Sequence, residues 1–254
     1  MANNSNNTMW VVALVLSILA LVLWFTGKFG GTGTAAPTAA IPAAAPAAAP
    51  AAAPAAAPQP APAPANVKVA QAEYDKFLEG AYIKGNKDAK ATIVEFSDVE
   101  CPFCVRHVTN GTLDTVQEKY GDDVNVIFAH FPLSFHPLAQ KAGEAIECAG
   151  KLAGEEWYFA FKSGIFAAPG GKPTVDVIKT VATENGINAD EMVACLDSDE
   201  FAQKVKDQMA FGQSLWVTGT PGNIVINNET LDTTKVSGAV PATAFDPAIG
   251  AILN

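Results

Sequence analysis

Apolar positions fall along this chain in two regimes: one continuous block near the start, and short periodic runs from residue 67 onward. Met9 to Phe25 is apolar throughout apart from Ser17, with Trp10 and Trp24 near its ends. A membrane-crossing helix needs roughly 17 to 25 such residues, and Trp favours the two interfaces. The block predicts an anchor over 9–26, behind a tail at 1–8. A cleavable signal peptide is the rival reading, but its apolar core usually spans about 7 to 15 residues behind a basic stretch. Met1 to Thr8 holds no charged side chain, and no clear A-x-A site follows directly. An uncleaved anchor fits better. Lys28 on the far flank favours the opposite orientation under the positive-inside rule, so orientation has to come from the chemistry further on.

Residues 27–66 carry neither period. Gly27 to Thr34 is glycine-rich, and Ala35 to Ala65 is almost wholly Ala and Pro, with prolines at 42, 46, 50, 54 and 58. Alanine favours a helix, but proline at that spacing removes donors and clashes with preceding carbonyls. The expectation is an extended, semi-rigid spacer at about 3.1 Å per residue.

The periodic part, residues 67–254, predicts a single domain. A short helix is expected over Gln71 to Leu78, then a loop at Gly85-Asn-Lys-Asp88, then a strand at Thr92 to Ser97. The next helix should run to about Tyr120 and stop at Gly121, ahead of a strand at Val124 to Phe131. From Pro137 to about Leu215 the pattern is helical, with Asn188-Ala-Asp-Glu191 as a capping box, Asp199 as an N-cap and Gly186 as a stop. A strand follows at Asn223 to Asn227, a turn at Asn228-Glu229, a partner strand near Leu231 or Val236, and a helix over Pro247 to Leu253. A sheet crossover usually takes one helix, so about 80 helical residues must form an insertion. The predicted class is α/β: a thioredoxin-like fold with an inserted helical subdomain at about 137–215.

Charge narrows the partners. The chain of 254 residues has 16 Lys and Arg against 26 Asp and Glu. Only Lys28 is charged before residue 67, so the domain stands at 15 − 26 = −11. Phosphate would be repelled, which argues against nucleic acid.

Four cysteines carry the candidate chemistry. Cys101-Pro102-Phe103-Cys104 follows an apolar strand and opens a predicted helix. A thiolate there meets unpaired N–H groups and the positive end of the helix dipole, so its pKa falls. Pro102 suits the first helical turn, and the spacing lets Cys104 close a disulfide with Cys101 or attack a mixed one. A CxxC is also half of a zinc site, but structural zinc normally needs a second close pair. Cys148 and Cys195 stand alone, and His107, His130 and His136 make no such pair. Cys148 and Cys195 both fall in the helical insertion. An oxidising compartment would tend to join them, and otherwise they act as two small buried hydrophobes.

With these elements placed, residues 82 to 254 resemble the DsbA-type thiol oxidoreductases. The resemblance is carried by Gly85-Asn-Lys-Asp-Ala89, Val94-Glu-Phe-Ser-Asp98, Cys101-Pro-Phe-Cys104, His130-Phe-Pro-Leu133 and Val217-Thr-Gly-Thr-Pro221. It implies Cys101 as nucleophile, Cys104 as resolving thiol, and a cis Thr220–Pro221 peptide facing the disulfide. Pro221 has no N–H, which leaves the Thr220 backbone free to meet an extended substrate strand. Gly222 departs from the family, whose members more often carry a bulkier residue there, and implies a looser loop edge. Glu95 takes the place of a buried acid beneath the disulfide, where a raised pKa would let it relay the proton of Cys104. Its alternative is a solvent-facing position on an edge strand.

Asp98 and Glu100 read as solvated loop charges, His107 as too far along the helix to bias the attacking sulfur, and His130 and His136 as local hydrogen-bonding residues. By resemblance the protein oxidises reduced or misoxidised exported polypeptides, without cofactor or metal, on the extracytoplasmic side of the cell membrane as a single-pass protein. A quinone-linked membrane protein of the DsbB or VKOR kind would reoxidise it, and the tether would raise its concentration there. Two alternatives remain open: a reductase or isomerase using the same residues, and a non-catalytic metal-binding or assembly module such as a copper chaperone.

Overall fold

The seven residues Ala91–Ser97 form one strand, and all seven are buried. Such burial requires cover on both faces and neighbours on both edges. The structure, a computed structural model, describes residues 67–254. The predicted tail at 1–8, anchor at 9–26 and linker at 27–66 lie outside the described residues. Among the described residues, no helix is long and apolar enough to cross a membrane.

Helix α1 (Gln71–Leu78) and the short strand β1 (Ile83–Lys84) lead into β2 (Ala91–Ser97). Helices α2 (Pro102–Thr109) and α3 (Thr112–Tyr120) then carry the chain over to β3 (Val124–His130). Five helices follow: α4 (Ala139–Ala153), α5 (Glu155–Phe166), α6 (Val175–Glu184), α7 (Ala189–Asp197) and α8 (Ala202–Ser214). The hairpin β4 (Gly222–Asn227) and β5 (Thr233–Ser237) and helix α9 (Asp246–Leu253) complete the domain. The sheet order is β1-β3-β2-β4-β5. Only β2 and β3 are parallel, with Glu95 opposite Phe128; antiparallel β4 sets Asn223 on the other side of Glu95. This is a thioredoxin-like α/β fold with a mixed sheet, and α4 to α8 form the insertion between β3 and β4.

Strand side chains alternate between faces. Val94, Phe96, Ile127 and Ile224 pack with Tyr74 and Phe77 of α1 and Phe211 of α8. Ala91, Ile93, Val126 and Val225 face the other way, against Leu113 and Val116 of α3 and Ile249 of α9. Glu95, two residues beyond Ile93, falls on that second face. The core of the insertion, around Ile146, Tyr158, Phe161, Phe166 and Met192, is continuous with Phe128 of β3 and with Cys101 and Cys104. A disulfide from Cys148 on α4 to Cys195 on α7 joins its first and fourth helices, with Cα atoms 6.0 Å apart.

Two local expectations are corrected. The helix expected to reach Tyr120 is broken, because Gly111 adopts a left-handed φ of 62°. Its N–H closes a turn on the Val108 carbonyl at 2.9 Å, a glycine helix stop. Asp199 does not cap α8: it has φ of 55°, its backbone carbonyl accepts from Ala202 N–H, and its carboxylate pairs with Lys141. Asn188 does cap α7, accepting from the N–H groups of Asp190 and Glu191.

Candidate functional site

Strand β2 ends at Ser97, and three residues later the chain turns into α2. Cys101 holds the N-cap position in an extended conformation, and Pro102 is the first helical residue. Cys101 N–H donates to the Asp98 carbonyl at 3.1 Å, and the Cys101 carbonyl accepts from Val105 N–H at 2.9 Å. The sulfur is thereby fixed where the helix offers its unsatisfied N–H groups. Cys101 and Cys104 both stand as thiols; Cys101 is 5% exposed and Cys104 is fully buried. The Cys101 thiol donates to the Thr220 carbonyl oxygen at 3.5 Å, and the Thr220–Pro221 peptide is cis. The loop ahead of β4 therefore faces the start of α2.

The two sulfurs differ sharply in acidity. Cys101 is lowered to about 5, chiefly by the hydrogen bond from Cys104; burial opposes this, and the Thr220 side chain and the N–H groups of Cys104 and Phe103 add to it. Cys104 is pushed well above the usual thiol range, first by burial and then by its bond to Cys101. The arrangement supports one thiolate and one thiol at neutral pH.

Glu95 is 2% exposed in the middle of β2, between Phe128 of β3 and Asn223 of β4. The edge-strand alternative does not hold, because β2 is paired on both sides. Its Oε1 has no hydrogen-bond partner among the described residues, nor do Ser97 Oγ, Thr220 Oγ1 and Asn223 Oδ1. Buried polar atoms are nearly always paired, so each of these has capacity for a further partner such as water.

Other residues are placed differently from the sequence reading. Asp98 is buried, not solvated, and its carboxylate accepts from Glu100 N–H at 2.8 Å, Leu133 N–H at 2.7 Å and His136 Nδ1 at 2.9 Å. Glu100 accepts from Leu138 N–H at 2.6 Å. These carboxylates stitch the segment after β3 to the turn before Cys101. The Asp98-Val-Glu100 spacing of an Asx turn was the available signal.

His136 thus makes a local bond. His130 points into the insertion, where Nε2 lies 3.0 Å from Glu147 Oε1. Burial would raise Glu147, but His130 and Lys204 hold it below the usual carboxylate value. His107 is buried with neither ring nitrogen bonded among the described residues, a feature that sequence spacing does not reveal.

Gly222 is also corrected. A Cβ there would lie 2.6 Å from Val217 Cγ1 and 3.1 Å from the Gly219 carbonyl, so the loop edge is tight and glycine is what lets it close. The Cys148–Cys195 disulfide lies within the insertion, and Cys148 belongs to the same buried cluster as Cys101 and Cys104.

The chain belongs to the thioredoxin family, whose pattern matches residues 78–240, more than half of the sequence. Its fold is similar to that of Pseudomonas aeruginosa DsbA2, at 24% identity and a TM-score of 0.57, covering 67% of this chain and 93% of that one. It is similar also to oxidised BdbD from Bacillus subtilis, at 22% identity and a TM-score of 0.60, covering 69% and 94%.

Among curated proteins, 80 residues are 42% identical to the Na(+)/H(+) antiporter NhaA 1 of Mycolicibacterium gilvum, covering 31% of this chain and 12% of that protein. A longer match of 141 residues to NhaA of Herminiimonas arsenicoxydans is 28% identical and covers 55% and 21%. The chain thus spans a small fraction of these relatives' length, and no transport property follows from them.

Proposed function

We propose that this protein is a thiol-disulfide oxidoreductase that introduces disulfides into exported polypeptides through Cys101 and Cys104. The observation that carries the reading is the split between the two sulfurs: Cys101 lowered to about 5 at a helix start, and Cys104 raised in the interior behind it. A stabilised thiolate favours the reduced state of the site, which makes its disulfide a strong oxidant.

In the oxidising direction a substrate thiolate attacks Cys101 Sγ. The Cys101–Cys104 bond breaks, and Cys104 leaves and takes up a proton. A second substrate thiolate then attacks the substrate sulfur of the mixed disulfide, and Cys101 leaves as a thiolate. The client gains one disulfide and the site gains two electrons. Thr220, with its carbonyl oxygen beside Cys101 and Pro221 behind it, is suited to hold an extended client strand. Phe103 on the first turn of α2, Phe135 on the segment tied down by Asp98, and Trp216 ahead of Pro221 are all exposed. They offer apolar surface to an unfolded chain.

The resemblance to DsbA-type proteins supports a quinone-linked membrane reoxidant of the DsbB or VKOR kind. With the apolar run at 9–26 it also supports a single-pass protein whose domain lies on the extracytoplasmic side. A four-cysteine copper chaperone fits less well, since Cys148 and Cys195 are spent on each other.

Direction is tested by equilibrating the full chain with glutathione. The reading expects a potential more positive than about −200 mV; a value near about −270 mV, that of thioredoxin, would assign the reducing direction instead. In cells, Cys104→Ser should trap exported cysteine-containing proteins on Cys101 as mixed disulfides. An empty trap in cells exporting such proteins counts against the catalytic reading.

A further inference from the structure

Helix α8 ends just before the loop that carries Thr220 and Pro221, and it ends on a residue that the backbone there disfavours. Trp216 has a left-handed φ of 60°. Its N–H donates to the Gln213 carbonyl at 3.0 Å, and the N–H of Val217 reaches back to the Gly212 carbonyl at 2.9 Å. That pair of bonds is the left-handed finish of a helix, a position where glycine is favoured because a Cβ is strained. Three other helices of this chain keep to glycine: Gly80 after α1, Gly111 after α2 and Gly186 after α6, with φ of 73°, 62° and 71°.

Among the described residues, two further non-glycine residues share this conformation, Asp199 and Leu231. Asp199 is short and polar, which the left-handed region tolerates, and its carboxylate pairs with Lys141. Leu231 is 6% exposed and belongs to the core that holds Tyr74. Trp216 instead is 45% exposed, between Leu215 and Val217, which are both buried. Lys235 of β5 donates to the Trp216 carbonyl, so the turn is held from a neighbouring strand as well as from the helix. Burial therefore does not account for so large a side chain at a position that favours none. Strained residues fixed by their surroundings gather where a protein meets its ligands.

We propose that Trp216 is a specificity-determining residue of the exchange site: its indole receives a large apolar side chain of the client, within about four residues of the client cysteine. The inference rests on the thiol-exchange reading above. Cys101 Sγ meets the Thr220 carbonyl at 3.5 Å, and Val217, Thr218 and Gly219 are all that separate Thr220 from Trp216. Four residues span at most about 14 Å, and an extended client covers that distance in about as many. A client strand lying along this loop with its sulfur at Cys101 therefore brings its neighbouring side chains over the indole.

An indole presents a broad apolar face and a single N–H donor. It suits a Phe, Leu or Met side chain, of the kind an unfolded chain exposes and a folded one buries. Glycine at position 216 would close α8 with less strain and offer the client nothing. Stability and client contact thus make opposite demands on this one residue, and variants separate them.

The oxidised full chain tests this against two reduced peptides that differ only in carrying Phe or Ser at the positions two to four residues from their cysteine, with glutathione as a thiol too short to reach the indole. The wild type should oxidise the Phe peptide about tenfold faster than the Ser peptide at low concentration. Trp216→Gly should abolish most of that preference, leave the glutathione rate and the alkylation midpoint of Cys101 unchanged, and raise the urea midpoint as the left-handed turn relaxes. Trp216→Phe keeps both the turn and an aromatic face, and should retain most of the preference. Equal rates for the two peptides in the wild type, or an undiminished preference in Trp216→Gly, would overturn the assignment. So would a lower urea midpoint in Trp216→Gly, since the indole would then be holding the fold together. A wild-type chain that exchanges with neither peptide nor with glutathione would remove the thiol-exchange reading as well.

Discussion

Gly222 shows how a site can depend on a missing side chain. It starts β4 two residues after Thr220, and any Cβ would strike Val217 and the Gly219 backbone. Gly222→Ala should therefore move the loop that carries Thr220. The expected cost is about 1–3 kcal/mol in urea unfolding, with a rise in the alkylation midpoint of Cys101 as the Thr220 side chain, which helps to hold it low, moves away. An unchanged urea midpoint together with an unchanged alkylation midpoint would show that the loop yields freely. At this scale, legibility followed sequence distance. Cys101, Pro102 and Cys104 announce themselves within four residues, and Glu95 stands out as a charge in an apolar strand. The bonds made by Asp98 do not, because Leu133 and His136 lie 35 and 38 residues further on.

Elements with a strong period are legible, and those set by a single backbone angle are not. The strands at Ala91–Ser97 and Gly222–Asn227 and the helix at Gln71–Leu78 match their patterns within a residue or so. The break at Gly111 is hidden because apolar spacing continues across it while the chain reverses into a left-handed turn. β1, two residues long, is too short to show any period. Within the insertion, α4 and α7 are tied by the bond between Cys148 and Cys195, which closes a loop with a separation of 47. Replacing both cysteines by Ala should lower stability by about 2–4 kcal/mol, read as a shift of the denaturant midpoint, while the alkylation midpoint of Cys101 stays where it is. A double variant as stable as the parent would mean that the link constrains nothing that folding has to order.

For the molecule as a whole, the ionisation of Cys101 couples redox state to folding. Its folded pKa of about 5 lies below the ordinary value of 9.0. A depressed acid stabilises the fold fully above the unfolded pKa, and that contribution is lost as pH falls through the folded pKa. The reduced domain should therefore gain stability over the disulfide form as pH rises from about 5 toward 9. Above that range the raised Cys104 works against it, since a thiol kept neutral only by folding favours the unfolded chain. Chemical unfolding of both redox forms between pH 4 and 8 checks the sign; a difference that shrinks with pH would contradict the placement of the thiolate.

The narrow opening at Cys101, 5% of whose surface meets solvent, has a further effect on timing. Under the proposed function, a client thiolate must come right up to this nearly covered sulfur. A compact globule has no loose end to thread there, so the window for exchange closes as soon as a client has finished collapsing.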